Sequence, residues 1–582
     1  MKNKPKRLRY AAGALAIAIS WIASISYAQN RPIERAERQR AEVLANEALS
    51  GTATVREEEE ALGDDTPLGV SIAGLRLISD QGMATMSPEV QEVIEIDPTL
   101  PAPEGLAELL LPYIGEPLSM ALLNRLGKDI VTTWRESDYP LVDVYFPEQN
   151  ITQGKVQIVV REAVLGEKRQ EGAVHSRPDY IVSNLRIDSG DRVNRRVVQA
   201  DLDWLNENPI RQVNVIYEPG TEDGTSDILI NVTEEKQLTA YASFANTGVN
   251  FTGQNEISFG VNLGNPWQTE QALGYQYTAD VDFDSLSAHT VFYQKFLPWR
   301  HSLGIIGSYV TSEARTLLPF GVTGESSQLT GEYRIPLKRP EWNRNWAHAF
   351  TAAFDYKSTD TDLIFGGTNV FANDYAIGQF RFEYAAEFPD RFGFTRFSTG
   401  MIVSPGNMYG NNDDASFTVA RPGATANYFY SYFDIEKLIS LPQDWSLSID
   451  IRAQATPDRL VSTEQLLAGG YVTVRGFDES IARADSGAIF NTELITPPFS
   501  LIDGVDDEWN AFLFYDAAAL QYTDSTFVEA GPSLQSVGLG LNCRIGDLGF
   551  ARAAYGWVVE DHGVDYANPG PGKFHFGMTV MY

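Results

Sequence analysis

From about residue 237 onward, apolar and polar side chains alternate with a period of two, through a long series of segments of roughly 9–13 residues. In Trp445–Arg452, the residues Trp445, Leu447, Ile449 and Ile451 share one face, and Ser446, Ser448, Asp450 and Arg452 share the other. Ala376, Phe380, Phe382 and Tyr384 likewise oppose Gln379, Arg381 and Glu383. Such alternation predicts strands with one apolar and one wet face. Strands of a soluble sandwich average about 5–6 residues, whereas a tilted strand needs about 9–11 to cross a bilayer. The lengths favour a transmembrane barrel over residues 237–582. About 16 segments are expected, starting near residues 238, 254, 270, 285, 301, 325, 345, 374, 391, 426, 443, 487, 509, 534, 548 and 572. An even number closes an antiparallel barrel with both ends on one side.

Before residue 237 the periodicity changes. In residues 69–166, Val70–Ile78 alternates as a strand, Leu106–Tyr113 reads as a short apolar helix, and Leu118, Leu122, Leu126, Ile130, Val131 and Trp134 recur at helical spacing. Tyr139–Phe146 and Lys155–Val164 then read as two strands, giving the order β-α-α-β-β. Residues 167–236 repeat that order in shorter form. Tyr180–Ile187 is read as a strand, Arg196–Asn206 as a helix, and Ile210–Glu218 and Asp227–Thr233 as strands. Pro219, Gly220 and Gly224 mark the turn between the last two. The predicted fold class is therefore tandem α+β domains followed by an all-β barrel.

Residues 1–28 have the layout of a secretory signal peptide: Lys2, Lys4, Lys6, Arg7 and Arg9, then the apolar stretch Ala11–Ile25, then Ser26-Tyr27-Ala28 for cleavage. The apolar run is short for a membrane span. In residues 29–68, Ile33–Leu49 has helix-forming composition but only a thin apolar stripe, which suits a solvated tail or a water-filled pore. Ser50–Pro67 reads as a flexible acidic linker.

With 582 residues, more than one core is expected. The net charge of −32 argues against nucleic acid as a partner, since phosphate binding needs a basic face. A single cysteine, Cys543, excludes a disulfide framework and reads as a small strand residue. The histidines at 175, 289, 301, 348, 562 and 575 have no metal-ligand spacing. Asp503–Asp507 lacks the full calcium-loop pattern and reads as a solvated turn. No catalytic constellation, metal site or cofactor motif is found, so no enzyme, metal or cofactor is expected.

One stretch stands apart, Gly469-Gly470 through Val474-Arg475-Gly476-Phe477, in the connection between the eleventh and twelfth segments. Further on, Phe514-Tyr515-Asp516 falls in the thirteenth. In the second small unit, Leu205-Asn206 with Pro209 precedes Pro219-Gly220, Gly224, Ser226-Asp227 and Val232. Asn246-Thr247-Gly248 and Thr252-Gly253 open the barrel region, and Gly487 and Glu493-Leu494 follow the Arg475 stretch. Together these residues resemble the two-partner secretion transporters, the TpsB class of hemolysin secretion/activation proteins of the ShlB, FhaC and HecB types. The likeness covers nearly all of the chain after residue 28. It departs from the pattern at Ala518, where the family's Phe-x-Asp-x-Gly motif ends in glycine.

The resemblance implies two POTRA domains, at 69–166 and 167–236, behind a plug helix and linker at 29–68. It implies that loop 6 of the barrel folds back into the lumen, where Arg475 pairs with Asp516; a guanidinium fork suits a carboxylate. The motif at Asn206, Pro209, Pro219, Gly220, Gly224 and Asp227 marks the second POTRA domain. Phe574, Phe576, Gly577, Val580 and Tyr582 resemble the C-terminal signal by which barrel-assembly machinery recognises outer-membrane proteins. The expected function is export of a large secreted TpsA-type exoprotein, hemolysin-like or adhesin-like, bound through the POTRA domains. The expected form is a monomer in outer-membrane lipid. The alternatives are a barrel-assembly insertase of the same superfamily and a passive porin. An insertase usually carries more than two POTRA domains, and a porin needs no periplasmic domains.

Overall fold

The computed structural model describes residues 53–55, 64–88, 92–135, 139, 141–222, 224–314, 320–343, 345–365, 368–523, 531–546, 548–564 and 570–582. The predicted signal segment and the predicted helix Ile33–Leu49 lie outside the described residues. The chain forms two units, one of residues 47–235 and one dominated by residues 236–582.

The first unit holds two small sheets. One has the order β3-β2-β5-β4, with β2 at Gly74–Ile78, β3 at Ile94–Ile96, β4 at Val142–Tyr145 and β5 at Lys155–Glu162. Helices α1 (Leu106–Leu110) and α2 (Met120–Arg135) cover it. Leu122, Leu126, Ile130 and Trp134 on α2 meet Leu75, Leu77, Ile158 and Val160 in one core, as helical and period-two spacing require. Strand β3 was not predicted; three residues are too few to show a period.

The second sheet has the order β1-β7-β8-β6: β1 Ala53–Val55, β6 Val164–Glu171, β7 Arg211–Pro219 and β8 Thr225–Glu234. Strand β6 straddles the expected 166/167 division and pairs with β8. Two differences from expectation appear here. The strand read at Tyr180–Ile187 is instead helix α3, Pro178–Asn184. Pro178 sits in its first turn, where the missing N–H costs nothing, and Ile181 turns into the core. The β-branched content of the segment hid that start. Helix α4, Arg195–Leu205, lies where a helix was expected over Arg196–Asn206, and Asn194 caps it, accepting from Arg196 N and Val197 N. The second difference is β1. Three residues of the expected flexible linker pair in parallel with the outer edge of β7, Ala53 opposite Val215 and Val55 opposite Tyr217.

The second unit is a closed barrel of 16 strands among the described residues, each antiparallel to its neighbours. They are β9 Leu238–Ala245, β10 Glu256–Gly264, β11 Gln271–Asp280, β12 Leu286–Phe296, β13 Ser302–Glu313, β14 Phe320–Pro336, β15 Ala347–Phe365, β16 Thr368–Asp390, β17 Gly393–Pro405, β18 Asn427–Ser440 and β19 Ser446–Ala455. A short hairpin, β20 Leu466–Ala468 and β21 Ala482–Ala484, lies within the next loop. The wall resumes with β22 Ser486–Ile495, β23 Asp507–Gln521, β24 Ser533–Ile545, β25 Gly549–His562 and β26 Gly572–Met581. The ring closes where Gly577–Met581 pairs with Tyr241–Ala245. Asn246 reinforces that seam: its Nδ2 donates to Phe574 O at 2.7 Å and its Oδ1 accepts from Phe576 N at 2.7 Å.

The barrel is inverted relative to a water-soluble protein. Phe259, Val261, Val291, Ile305, Leu329, Leu539 and Leu541 are exposed, while Ser258, Gln276, Thr290, Ser308, Thr330, Asp355 and Gln379 on the same strands or their neighbours are buried. A continuous apolar exterior with polar groups inside is the pattern a bilayer selects. Among the described residues no helix is long and apolar enough to cross a membrane. The chain crosses with strands, whose backbone groups are all paired around the ring. On the last strand Phe574, Met578 and Val580 face outward, and Tyr582 stands exposed at its end. The lone cysteine, Cys543, is a buried residue of β24.

Candidate functional site: the loop between β19 and β22

Residues 456–485 connect β19 to β22 and turn inward. The hairpin β20–β21 stiffens the loop's two legs. At its turn Gly469 and Gly470 both adopt positive φ, 103° and 106°. A Cβ on Gly470 would collide with the Glu479 carboxylate, whose Oε1 accepts from Tyr471 N at 2.6 Å. These glycines let the chain reverse tightly and carry Val474–Phe477 to the wall.

Val474 and Phe477 are fully buried, packed with Ile489 of β22, Ala518 and Leu520 of β23 and Leu534 of β24. Ala518, the departure from the family's glycine, is 3 % exposed in this cluster. Its methyl is part of the apolar seat for the loop. Burying two such side chains contributes on the order of 3–6 kcal/mol to docking.

Arg475 lies between these apolar contacts, 2 % exposed. The structure brings it to Asp516. Its Nε donates to Asp516 Oδ2 at 2.7 Å, its Nη2 to Oδ1 at 2.8 Å, and its own backbone N–H to Oδ2 at 3.0 Å. Asp516, on β23, is itself completely buried, and Asn491 Nδ2 supplies another donor to it at 2.8 Å. The guanidinium also stacks on Phe514, 3.6 Å from the ring centroid. Its Nη1 reaches Glu493 on β22, which in turn pairs with Arg552 on β25. Two cations and two carboxylates thus alternate across the wall, with Arg552 over the ring of Phe512.

Gly476 completes the contact. Its N–H donates to Nε2 of His575 on β26 at 2.9 Å. An accepting Nε2 requires the neutral imidazole with its hydrogen on Nδ1. Beyond it, Asp478 bonds Lys573 of β26 at 2.6 Å and Asn250 of the first loop at 2.8 Å. At the loop's far end Asp485 holds Arg421, which follows helix α5 (Asp414–Ala420) in the preceding loop, at 3.0 Å. It also accepts from Leu460 N at 3.0 Å and Thr523 N at 2.9 Å.

Sequence reading singled out Val474–Phe477 and Asp516, and it quoted Glu493 and Phe514 without assigning them a contact. It missed Asn491, Arg552, His575 and Phe512 as members of the site. Asn491 and Asp516 are direct cross-strand partners, and Glu493 is two residues along on the same face. Inward-facing polar residues on neighbouring strands were the available signal, but they require the register.

The second-sheet motif lies elsewhere and has a different job. Asn206 caps the end of α4 and clamps β7, accepting from Val213 N at 2.6 Å and donating to Val213 O at 3.1 Å. Pro209 lies in the short link from α4 to β7, and Pro219 is β7's last residue. Gly220 N–H bonds Thr225 O at 2.9 Å, and Gly224 takes a positive φ of 81°. Asp227 is buried and accepts from Glu167 N at 2.8 Å. These residues shape the domain. Asn206→Ala is expected to destabilise that domain by about 1–3 kcal/mol, the cost of orphaning buried backbone groups. Urea unfolding would show the early transition move while the barrel's heat-dependent gel mobility stays put.

A lipid-facing 16-stranded barrel, an internal loop fastened to its wall, and N-terminal α+β domains define an outer-membrane transporter with periplasmic POTRA domains. Comparison with known proteins gives the same class. The model of the haemolysin secretion/activation protein family ShlB/FhaC/HecB matches residues 224–543, and that of the ShlB-type POTRA domain matches residues 94–163. The first covers more than half of the chain, so the chain belongs to the ShlB/FhaC/HecB family. The heme/hemopexin transporter protein HuxB of Haemophilus influenzae is 24 % identical over 466 residues, covering 75 % of this chain and 78 % of HuxB. The structure of CdiB from Escherichia coli superimposes with a TM-score of 0.67 at 16 % identity, covering 96 % of this chain and 98 % of that one. BamA from Haemophilus ducreyi lacking POTRA domains 1–3 gives a TM-score of 0.52 at 13 % identity, covering 88 % and 100 %. The protein is a two-partner secretion pore of the outer membrane that exports a partner exoprotein.

Proposed function

We infer that the partner is a large extended polypeptide, hemolysin-like or adhesin-like, captured in the periplasm by domains 69–166 and 167–236 and passed unfolded through the lumen. Strand addition suits this capture, because backbone hydrogen bonds supply affinity with few side-chain demands. The edges on offer are restricted. The outer edge of β7 is already occupied by Ala53–Val55. The edge strands among the described residues are therefore the short β1 and β6 on the second sheet and β3 and β4 on the first. Folding of the partner outside provides the pull.

At rest, the helix expected over Ile33–Leu49 plugs the pore, the segment after it links the plug to the first domain, and the loop bearing Arg475 lines the wall. Plug exit and loop movement open the conduit. Residues 1–28 direct export. Phe574, Phe576, Gly577, Val580 and Tyr582 present the chain to barrel-assembly machinery, and the mature protein works as a monomeric transporter rather than an enzyme. The observation that carries this reading is the polar latch of Arg475, Asp516 and Glu493 inside a membrane barrel.

The test is co-expression with a candidate exoprotein, a large chain with a signal peptide and β-helical repeats. Secretion into the medium should require the chain, and loss of the chain should leave other outer-membrane barrels at normal levels. An insertase would deplete them instead. Deleting residues 29–60 should raise single-channel conductance in planar bilayers several-fold; an unchanged conductance removes the plug.

A further inference from the structure

The inward loop is fastened at a second place, far around the wall from Arg475. Glu464 ends the short turn Ser462–Glu464 on the loop's leading leg and is 4 % exposed. Its Oε1 meets Lys357 Nζ of β15 at 2.7 Å. Its Oε2 accepts from Gln379 Nε2 of β16 at 3.1 Å and from Tyr430 OH of β18 at 2.9 Å. Gln454 of β19 donates to the backbone carbonyl of the same residue at 3.0 Å. The receiving wall is itself tied together. Gln379 accepts from Tyr428 OH at 2.6 Å and donates to Asp355 at 3.3 Å, and Asp355 accepts from Thr330 at 2.9 Å.

We propose that Glu464 is a second latch residue: it straps the loop to strands β15, β16 and β18, while Arg475 straps it to β22 and β23, and opening the conduit requires both to release. A loop held to one sector can swing about that sector and still block the lumen. A loop held to two sectors spans the interior and moves only when an anchor lets go. The chemistry of Glu464 suits release. All its contacts are hydrogen bonds or an ion pair, which water can replace one at a time as the loop departs. An apolar anchor of equal strength would expose its whole surface to water in leaving. The neighbouring contacts of Leu460 and Val461 with Phe417, Tyr375 and Tyr428 are apolar and hold the top of the same leg in place. Glu464 is a positioning residue in this scheme; it acts through the loop and need not touch the exported chain.

This inference rests on the conduit reading above, and one experiment separates the two. Potassium chloride conductance in planar bilayers and secretion of the co-expressed candidate exoprotein are measured for the full chain, Glu464→Gln, Lys357→Met and Lys357→Arg. Heat-dependent gel mobility verifies that each barrel is folded. Glu464→Gln keeps the volume and removes the charge; Lys357→Met leaves the loop sequence intact. Both should raise the frequency of open events roughly tenfold, the scale set by losing one charge-assisted contact. Lys357→Arg, which keeps a cation opposite Glu464, should stay near the parental value while Lys357→Met does not, a contrast that a merely packing role would not produce. If the parental chain conducts and exports while Glu464→Gln and Lys357→Met behave as the parent does, the second latch is overturned and the conduit stands. If the parental chain neither conducts nor exports, the conduit reading falls, and the latch with it.

Discussion

Arg475→Ala is expected to reduce secretion of the partner at least tenfold while leaving the barrel folded. The magnitude follows from what remains after the side chain is removed. Asp516 is completely buried and loses three donors, two from the guanidinium and one from the displaced backbone N–H. Leaving a buried charge without its partner costs about 3–5 kcal/mol, and here the whole cost is borne by the docked state of the loop. In the undocked state water solvates Asp516, so the equilibrium moves to a detached loop. Asp516→Ala should be milder. Arg475 would keep Glu493, and the stack on Phe514 at 3.6 Å would persist. Arg475→Lys should fall between them, since an ammonium cannot make the two-pronged bond. The measurements are exoprotein in the medium, and heat-dependent gel mobility to show that strands β9–β26 still close. Normal secretion by Arg475→Ala would remove the latch from the mechanism.

Much of the barrel is legible from alternation because a bilayer imposes one rule on every strand: apolar outward, polar inward. Fourteen of the sixteen anticipated strand starts fall within about three residues of the observed ones; the exceptions begin at Phe320 and Thr368, five and six residues early. Those two strands, β14 and β16, begin ahead of the expected span, where Val322 and Phe371 join Leu363 in a buried apolar cluster, so the rule of apolar outward and polar inward does not mark these residues as wall. The small domains were less legible. Helix α3 was mistaken for a strand because Tyr180, Ile181 and Val182 favour strands locally, and only tertiary packing makes Ile181 a helix's buried residue. Strand β1 has no periodicity to detect and exists through its pairing with β7. The site divides the same way. Arg475 and Asp516 are 41 residues apart, and only a family resemblance joined them. Arg552, His575 and Glu464 come to the loop through the closure of the barrel and the path of the loop, which no window of sequence contains.

Gly556→Val is expected to match Arg475→Ala in lost secretion, although it alters none of the four charges at the latch. Gly556 lies on β25, in ordinary strand conformation, so its own backbone tolerates a side chain. The obstacle is across the gap. A Cβ there would lie 2.6 Å from Gly476 N and 2.7 Å from the carbonyl carbon of Arg475. The reverse holds for Gly476, whose Cβ would meet Gly556 O at 2.9 Å and whose φ of 92° disfavours any side chain. Two glycines therefore let loop backbone rest directly on wall backbone, which is what allows the guanidinium to reach Asp516. Valine is a better strand former than glycine, so the wall should be no weaker, and β24 and β26 should still pair with β25. The loop, however, must retreat by an ångström or more, enough to lengthen every bond from Arg475 beyond hydrogen-bonding range. Gly331→Val on β14 is the matched control, because a Cβ at that glycine meets nothing within 4 Å. Secretion should fail for Gly556→Val and persist for Gly331→Val, with both barrels showing parental gel mobility. Normal secretion by Gly556→Val would mean that the close seat of the loop against β25 is dispensable, and that the charges alone hold it.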